Sequence, residues 1–113
     1  MHEMSICESI LGVIEEQAAA QSFCKVRRVR LEIGPLAGVE TEALRFSFDV
    51  VTRGSLAEGA ALEILEPPVT AWCMPCAVPV KVGQRYDACP KCGSHQVQIS
   101  GGDELRIKDM EVD

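Results

Sequence analysis

The apolar positions Ile6, Ile10, Val13 and Ile14 recur at helical spacing and predict an amphipathic helix over residues 5–20. Ser5, followed three residues later by Glu8, has the form of a capping box, which would leave residues 1–4 as a short arm before the helix. Val26, Val29, Leu31 and Ile33 predict a strand over residues 25–33, because from residue 28 onward they alternate with Arg28, Arg30 and Glu32. Gly34 and Pro35 stop that strand and Gly38 marks a turn. A second helix follows over residues 42–51, with Thr41 as its cap, Leu44, Phe48 and Val51 as its inner stripe, and Gly54 as its end. Residues 61–65 form a second strand candidate, and Pro67-Pro68 then breaks regular structure.

Beyond Pro68 the pattern changes. Residues 69–102 hold four cysteines and few core-forming aliphatics, so metal is expected to do part of the work of a core there. Leu105 and Ile107 begin a last strand with no partner inside so small a module, so it is expected to return to the first sheet. The predicted class is α+β: two helices packed on a small mixed β-sheet, with an inserted zinc-ribbon-like module. The expected domains are residues 1–68 with 103–113, and residues 69–102.

The cysteines give the insertion its chemistry. Cys73/Cys76 and Cys89/Cys92 form two C-x-x-C pairs separated by 12 residues. Two such turns facing each other offer four thiolates at tetrahedral positions, the closed arrangement that structural zinc favours. Val78, Val80 and Val82 alternate in the connector as a hairpin strand would. Iron in a rubredoxin-like site is the chemical competitor. Four sulfurs leave no open position for water or substrate, which argues against a zinc hydrolase. Cys7 and Cys24 lie far from the pairs and are read as small packing residues. Phe46 and Phe48 are read as core or dimer contacts.

Charge narrows the partners. The chain has 113 residues and a formal charge of −6, which lacks the basic footprint of a nucleic-acid protein. Residues 1–68 carry −5 and residues 103–113 carry −3, against +2 for residues 69–102 before any thiolate is counted. Arg27, Arg28 and Arg30 are a solvated strand face, or else a dock for an acidic surface. No apolar run approaches the ~20 residues a membrane helix needs. His2, Glu3 and Glu8 do not resemble a secretory leader, so a cytoplasmic protein without a membrane partner is expected.

Met1-His2-Glu3 is the second chemical feature. The Met1 amine and the His2 amide nitrogen close a five-membered ring on a metal. That amide and the His2 imidazole Nδ1 close a six-membered ring. A fourth donor could be the amide nitrogen or the carboxylate of Glu3. Such an in-plane nitrogen set suits Ni(II) or Cu(II) and suits Zn(II) poorly. An open chelate of this kind takes up and releases metal without melting a core, as a carrier requires.

The chain resembles the HypA/HybF family of nickel-insertion proteins for [NiFe]-hydrogenase maturation. The likeness runs from Met1-His2-Glu3 through Ile33-Gly34, Gly38-Val39-Glu40 and Ala43-Leu44-Arg45-Phe46-Ser47-Phe48. It continues through Arg53-Gly54-Ser55 and Ala57-Glu58-Gly59 to both cysteine pairs and the acidic last strand. The resemblance implies a transient Ni(II) cargo held by Met1, His2 and Glu3, with Glu40 nearby as an assisting residue. It implies Cys73, Cys76, Cys89 and Cys92 as structural zinc ligands. It also implies work beside a HypB-type nickel GTPase and delivery to the hydrogenase large subunit, with urease served in some relatives; a homodimer is left open. Several relatives carry histidine directly after the last zinc cysteine, where this chain has Gly93 and places His95 two residues later. On this reading the protein is a metallochaperone and not an enzyme. The alternative is a zinc-ribbon adaptor for protein or nucleic acid.

Overall fold

The computed structural model describes residues 2–113. Met1, part of the expected nickel chelate, lies outside the described residues. The elements are α1 (Glu3–Gln21), β1 (Val26–Ile33), α2 (Thr41–Thr52), β2 (Ala61–Leu65), β3 (Val69–Cys73), β4 (Val78–Val82), β5 (Val97–Gly101) and β6 (Leu105–Val112). They form two helices and two three-stranded sheets, ordered β2-β1-β6 and β4-β3-β5. The architecture is α+β, with the strands divided between two sheets.

Two compact units emerge from the chain. The larger takes in the chain up to Leu31, Val39–Ile64 and Ile107–Asp113; the smaller takes in Glu32–Gly38 and Leu65–Arg106. In the larger unit, α1 buries Cys7, Ile10 and Ile14, while α2 buries Leu44, Ser47, Phe48 and Thr52. From β1 come the buried Val26, Val29 and Leu31, as the alternation predicts. The helices lie side by side and parallel: the Glu40 N–H donates to Glu3 at their starts, and one turn further the Cys7 thiol reaches the Leu44 carbonyl at 3.5 Å.

Several expectations about ends and faces need correction. Helix α1 starts at Glu3, so Glu3 and Met4 belong to it and the Ser5/Glu8 capping box does not form. Its cap is His2, whose carbonyl accepts the Ile6 N–H at 3.1 Å. Glu3 suits this start because a carboxylate in the first turn faces the positive end of the helix dipole. Helix α2 is capped by Glu40 rather than Thr41, through a bond from the Glu42 N–H to Glu40 Oε1 at 3.3 Å. Val13 faces outward while Cys7 takes a core position. Phe46 is 68% exposed and is no core residue. Cys24 is exposed too, so only Cys7 packs as expected.

The outward side chains of β1 are neutralised from within the fold. Arg27 pairs with Asp113 at 2.6 Å, Arg28 with Glu63 at 3.4 Å, and Arg30 with Asp109. Backbone bonds from Asp113 N to the Lys25 carbonyl and from Gly34 N to the Glu104 carbonyl bracket β1 and β6 as antiparallel neighbours. The last strand therefore does return to β1, and the acids that quench its arginines come largely from that return.

In the smaller unit, β3 pairs antiparallel with both β4 and β5, with Ala71 opposite Val80 on one side and Ile99 on the other. The hairpin joins β3 to β4 across the first cysteine pair rather than lying within the connector. Ala71, Cys73, Val80 and Cys89 form a small buried core, flanked by the half-buried Val78, Val82, Val97 and Ile99. Gly34 is forced by sterics: a Cβ there would sit 2.0 Å from the Gly102 carbonyl oxygen.

Candidate metal centres

The first cysteine pair straddles the turn that ends β3. Cys73 is the last residue of the strand, and the Ala77 N–H donates back to its carbonyl at 2.8 Å. The second pair repeats the device, with the Gly93 N–H donating to the Cys89 carbonyl at 2.8 Å. In both turns the residue after the second cysteine adopts positive φ, 53° at Ala77 and 77° at Gly93. Glycine reaches that region without strain, which gives a physical reason for Gly93. The Cys89 N–H is taken by the Ser94 carbonyl at 2.8 Å, and the Lys91 N–H points at Cys89 Sγ at 3.3 Å.

These turns bring the four sulfurs within 4.8 Å of one another, with Cys73 and Cys92 3.6 Å apart. A tetrahedron of sulfurs about 2.3 Å from a central zinc has edges near 3.8 Å, so the cluster has the dimensions of a four-thiolate metal site. The electrostatics agree. Backbone N–H groups of Cys92 and Lys91 hold the Cys89 thiol down to about 6. The neighbouring Cys92 and Cys73 sulfurs, together with burial, push Cys76 up to about 12. Four thiolates so close together repel one another unless a cation lies among them. Among the described residues this is the group of potential ligand side chains held at metal-binding distances.

The N-terminal residues are placed differently. His2 is exposed at the start of α1, with φ −86° and ψ 93°. Glu3 is half-buried, and its Oε2 accepts the Glu40 N–H at 3.2 Å. That bond, followed by one from its own backbone N–H, holds the Glu3 carboxyl below its usual range. The fold thus brings the Glu3 carboxylate, next to His2 in sequence, onto the Glu40 backbone 37 residues away. Burial pushes the Cys7 thiol up to about 11, in keeping with its packed position between the helices.

A protein-family model described as "Hydrogenase/urease nickel incorporation, metallochaperone, hypA" matches residues 1–112. The chain belongs to the HypA family. The hydrogenase maturation factor HypA of Azotobacter vinelandii is 61% identical over 113 residues, and that of Acidithiobacillus ferrooxidans 60%, with both chains of each pair covered in full. The solution structure of the Ni metallochaperone HypA from Helicobacter pylori is 30% identical, with a TM-score of 0.71 over 99% of this chain and 97% of that one. A second HypA solution structure, also 30% identical, has a TM-score of 0.74 over 100% of this chain and 97% of that one. Membership of a nickel metallochaperone family agrees with the resemblance carried by the sequence motifs. No described helix is long and apolar enough to cross a membrane.

Spacing revealed the four cysteines, but not the amides of Ala77, Lys91 and Gly93 that shape their turns. The only sequence signal for them is the small residue after each pair. Glu3 is a candidate from the chelate chemistry of the first three residues and Glu40 from the resemblance, and their contact is a product of the helix pairing.

Proposed function

We propose that this protein binds Ni(II) through the Met1 amine, His2 and Glu3, with Glu40 assisting, and helps insert the ion into the [NiFe]-hydrogenase large subunit. The observation that carries the reading is the Glu3–Glu40 bond at the paired helix starts in a chain of this family. It ties the Glu3 carboxylate, adjacent in sequence to the exposed His2, to the Glu40 backbone, while the Glu40 carboxylate accepts the Glu42 N–H at the start of α2. Transfer proceeds by ligand exchange: a HypB-type nickel GTPase or the apo-hydrogenase docks near the arm, and its donors replace those of this chain one at a time. No catalytic step is assigned to the protein, and it works in the cytoplasm.

Cys73, Cys76, Cys89 and Cys92 are proposed to hold structural zinc. Four sulfurs at these separations suit zinc's tetrahedral preference, and the ion would neutralise the crowded thiolates. The nickel-binding domain is assigned to residues 1–68 with 103–113, and the zinc domain to residues 69–102.

Native mass spectrometry with added nickel tests the reading on three forms: wild type, His2→Ala, and a form extended by one N-terminal residue. All three should retain one zinc, and only the wild type should bind nickel tightly. Equal nickel binding by all three would refute the N-terminal site.

A further inference from the structure

The smaller unit has a hollow lined by Arg85, Tyr86, His95, Val97 and Ile99 that neither metal centre uses. Val97 and Ile99 lie two apart on β5, so they face the same side of the sheet and form a half-buried aliphatic floor. Arg85, Tyr86 and His95 are exposed at its rim.

Two features of the rim are unlike the rest of the molecule. The chain has seven arginines. Arg27, Arg28, Arg30, Arg53 and Arg106 each pair with a carboxylate, and Arg45 donates to the Leu62 carbonyl. Arg85 alone has no carboxylate or carbonyl partner among the described residues. The nearby Asp87 is already engaged, since its Oδ2 accepts the Gly83 and Gln84 N–H groups at 2.9 and 3.1 Å. The second feature is Tyr86. It is 90% exposed and sits at φ 70°, a left-handed conformation that costs a bulky residue free energy. The bonds to Asp87 brace the turn in that form. A strained, outward aromatic beside an apolar floor and an unpaired guanidinium has the composition of a binding anchor.

We propose that this hollow docks an extended, acidic segment of a partner protein. The occupant carries aliphatic side chains at alternate positions, which settle on Val97 and Ile99 against the Tyr86 ring. A carboxylate on the same segment takes the Arg85 guanidinium. Local charge supports an acidic occupant: Arg85 is the arginine left without a carboxylate or carbonyl partner among the described residues, and the carboxylate nearest to it in sequence, Asp87, is already engaged. The site is independent of nickel binding.

The test uses the full, metal-loaded chain and the capped peptide Asp-Leu-Glu-Leu-Asp, with its Asn/Gln counterpart as control. Methyl and amide NMR follow Val97, Ile99 and their neighbours during titration. Saturable shifts confined to the hollow are expected with the acidic peptide, and at least tenfold weaker binding with the neutral one. Arg85→Glu should weaken the acidic peptide at least tenfold while metal content and helical signals stay unchanged. Tyr86→Gly relieves the positive φ, so thermal stability should hold or rise while binding weakens several-fold. The proposal is overturned if the acidic peptide gives no saturable shift. It is also overturned if the neutral peptide or either variant binds equally well, or if the same shifts arise from protein concentration alone, which would assign the hollow to a second copy.

Discussion

Leu44→Ala asks whether the proposed nickel-binding end of the molecule depends on the packing beneath it. Leu44 is fully buried on α2, and its carbonyl receives the Cys7 thiol from α1. Removing its side chain deletes the contact layer one turn beyond the Glu3–Glu40 bond. A fully buried Leu→Ala change costs about 3 kcal/mol, within a range of about 2–5, because the lost transfer energy adds to an unfilled cavity. For a unit of roughly 60–100 residues each kcal/mol moves the midpoint by about 4–8 °C, so a drop of about 12–24 °C is expected. Thermal unfolding followed by far-ultraviolet circular dichroism reads this directly, with release of the proposed zinc followed in parallel by a chromogenic chelator. Zinc release should keep its wild-type temperature, since the cysteine turns belong to the other compact unit. At temperatures where the variant stays folded, nickel affinity should fall only slightly, because most of the proposed donors are local to the first three residues. The reasoning is refuted if the midpoint moves less than 3 °C, or if zinc release shifts by as much as the helices do.

Three further outcomes follow from the same geometry. The Glu3 carboxyl is held below its ordinary value of 4.5 by the Glu40 N–H, so its contribution to folding is complete above that value and is lost as pH falls through the depressed one; the Glu40 amide shift in NMR should titrate below 4.5 in wild type and not titrate there in Glu3→Gln. Cys73→Ser, or stripping the proposed zinc with a chelator, should broaden the amide signals of residues 69–102 while most helical ellipticity remains; simultaneous loss of both would mean one cooperative domain. The Arg30–Asp109 pair is exposed, so a double-mutant cycle should give a weak coupling that shrinks in high salt and disappears once acid protonates Asp109, whose pKa is lowered by Arg30; a salt-independent coupling would contradict this.

What the sequence revealed follows from the range of each signal. The β1 alternation and the cysteine spacing are local, and both appear in the structure as expected. Helix caps are set by atoms that a hydropathy pattern does not weigh. Ser5 and Glu8 have the form of a capping box, but the His2 carbonyl accepts the Ile6 N–H and the cap lies three residues earlier. The arginines of β1 read most simply as a solvated face, with an acidic dock as the alternative. In the fold Asp109 lies on Arg30 from 79 residues away and Asp113 on Arg27 from 86, pairings visible only once β6 lies beside β1. Tyr86 gave no sequence signal at all, since exposure and positive φ are properties of the folded turn.

The corrected start of α1 also bears on how the proposed nickel chelate coexists with the fold. The first N–H groups of any α-helix have no intrahelical acceptor. With the helix beginning at Glu3, the amide nitrogens of His2 and Glu3 fall in that set, and the first backbone bond of the helix is donated by Ile6. A metal that takes those nitrogens in place of their protons therefore breaks no bond of the helical ladder. Had the helix begun at Ser5, the same donors would sit on a loose arm with nothing to set their position. Beginning at Glu3, they ride on a rigid element whose first turn is held to α2 by the Glu3 carboxylate. The donors can thus be presented to a partner in one orientation and stripped of metal one by one while the packed face formed by Cys7, Ile10 and Ile14 stays intact.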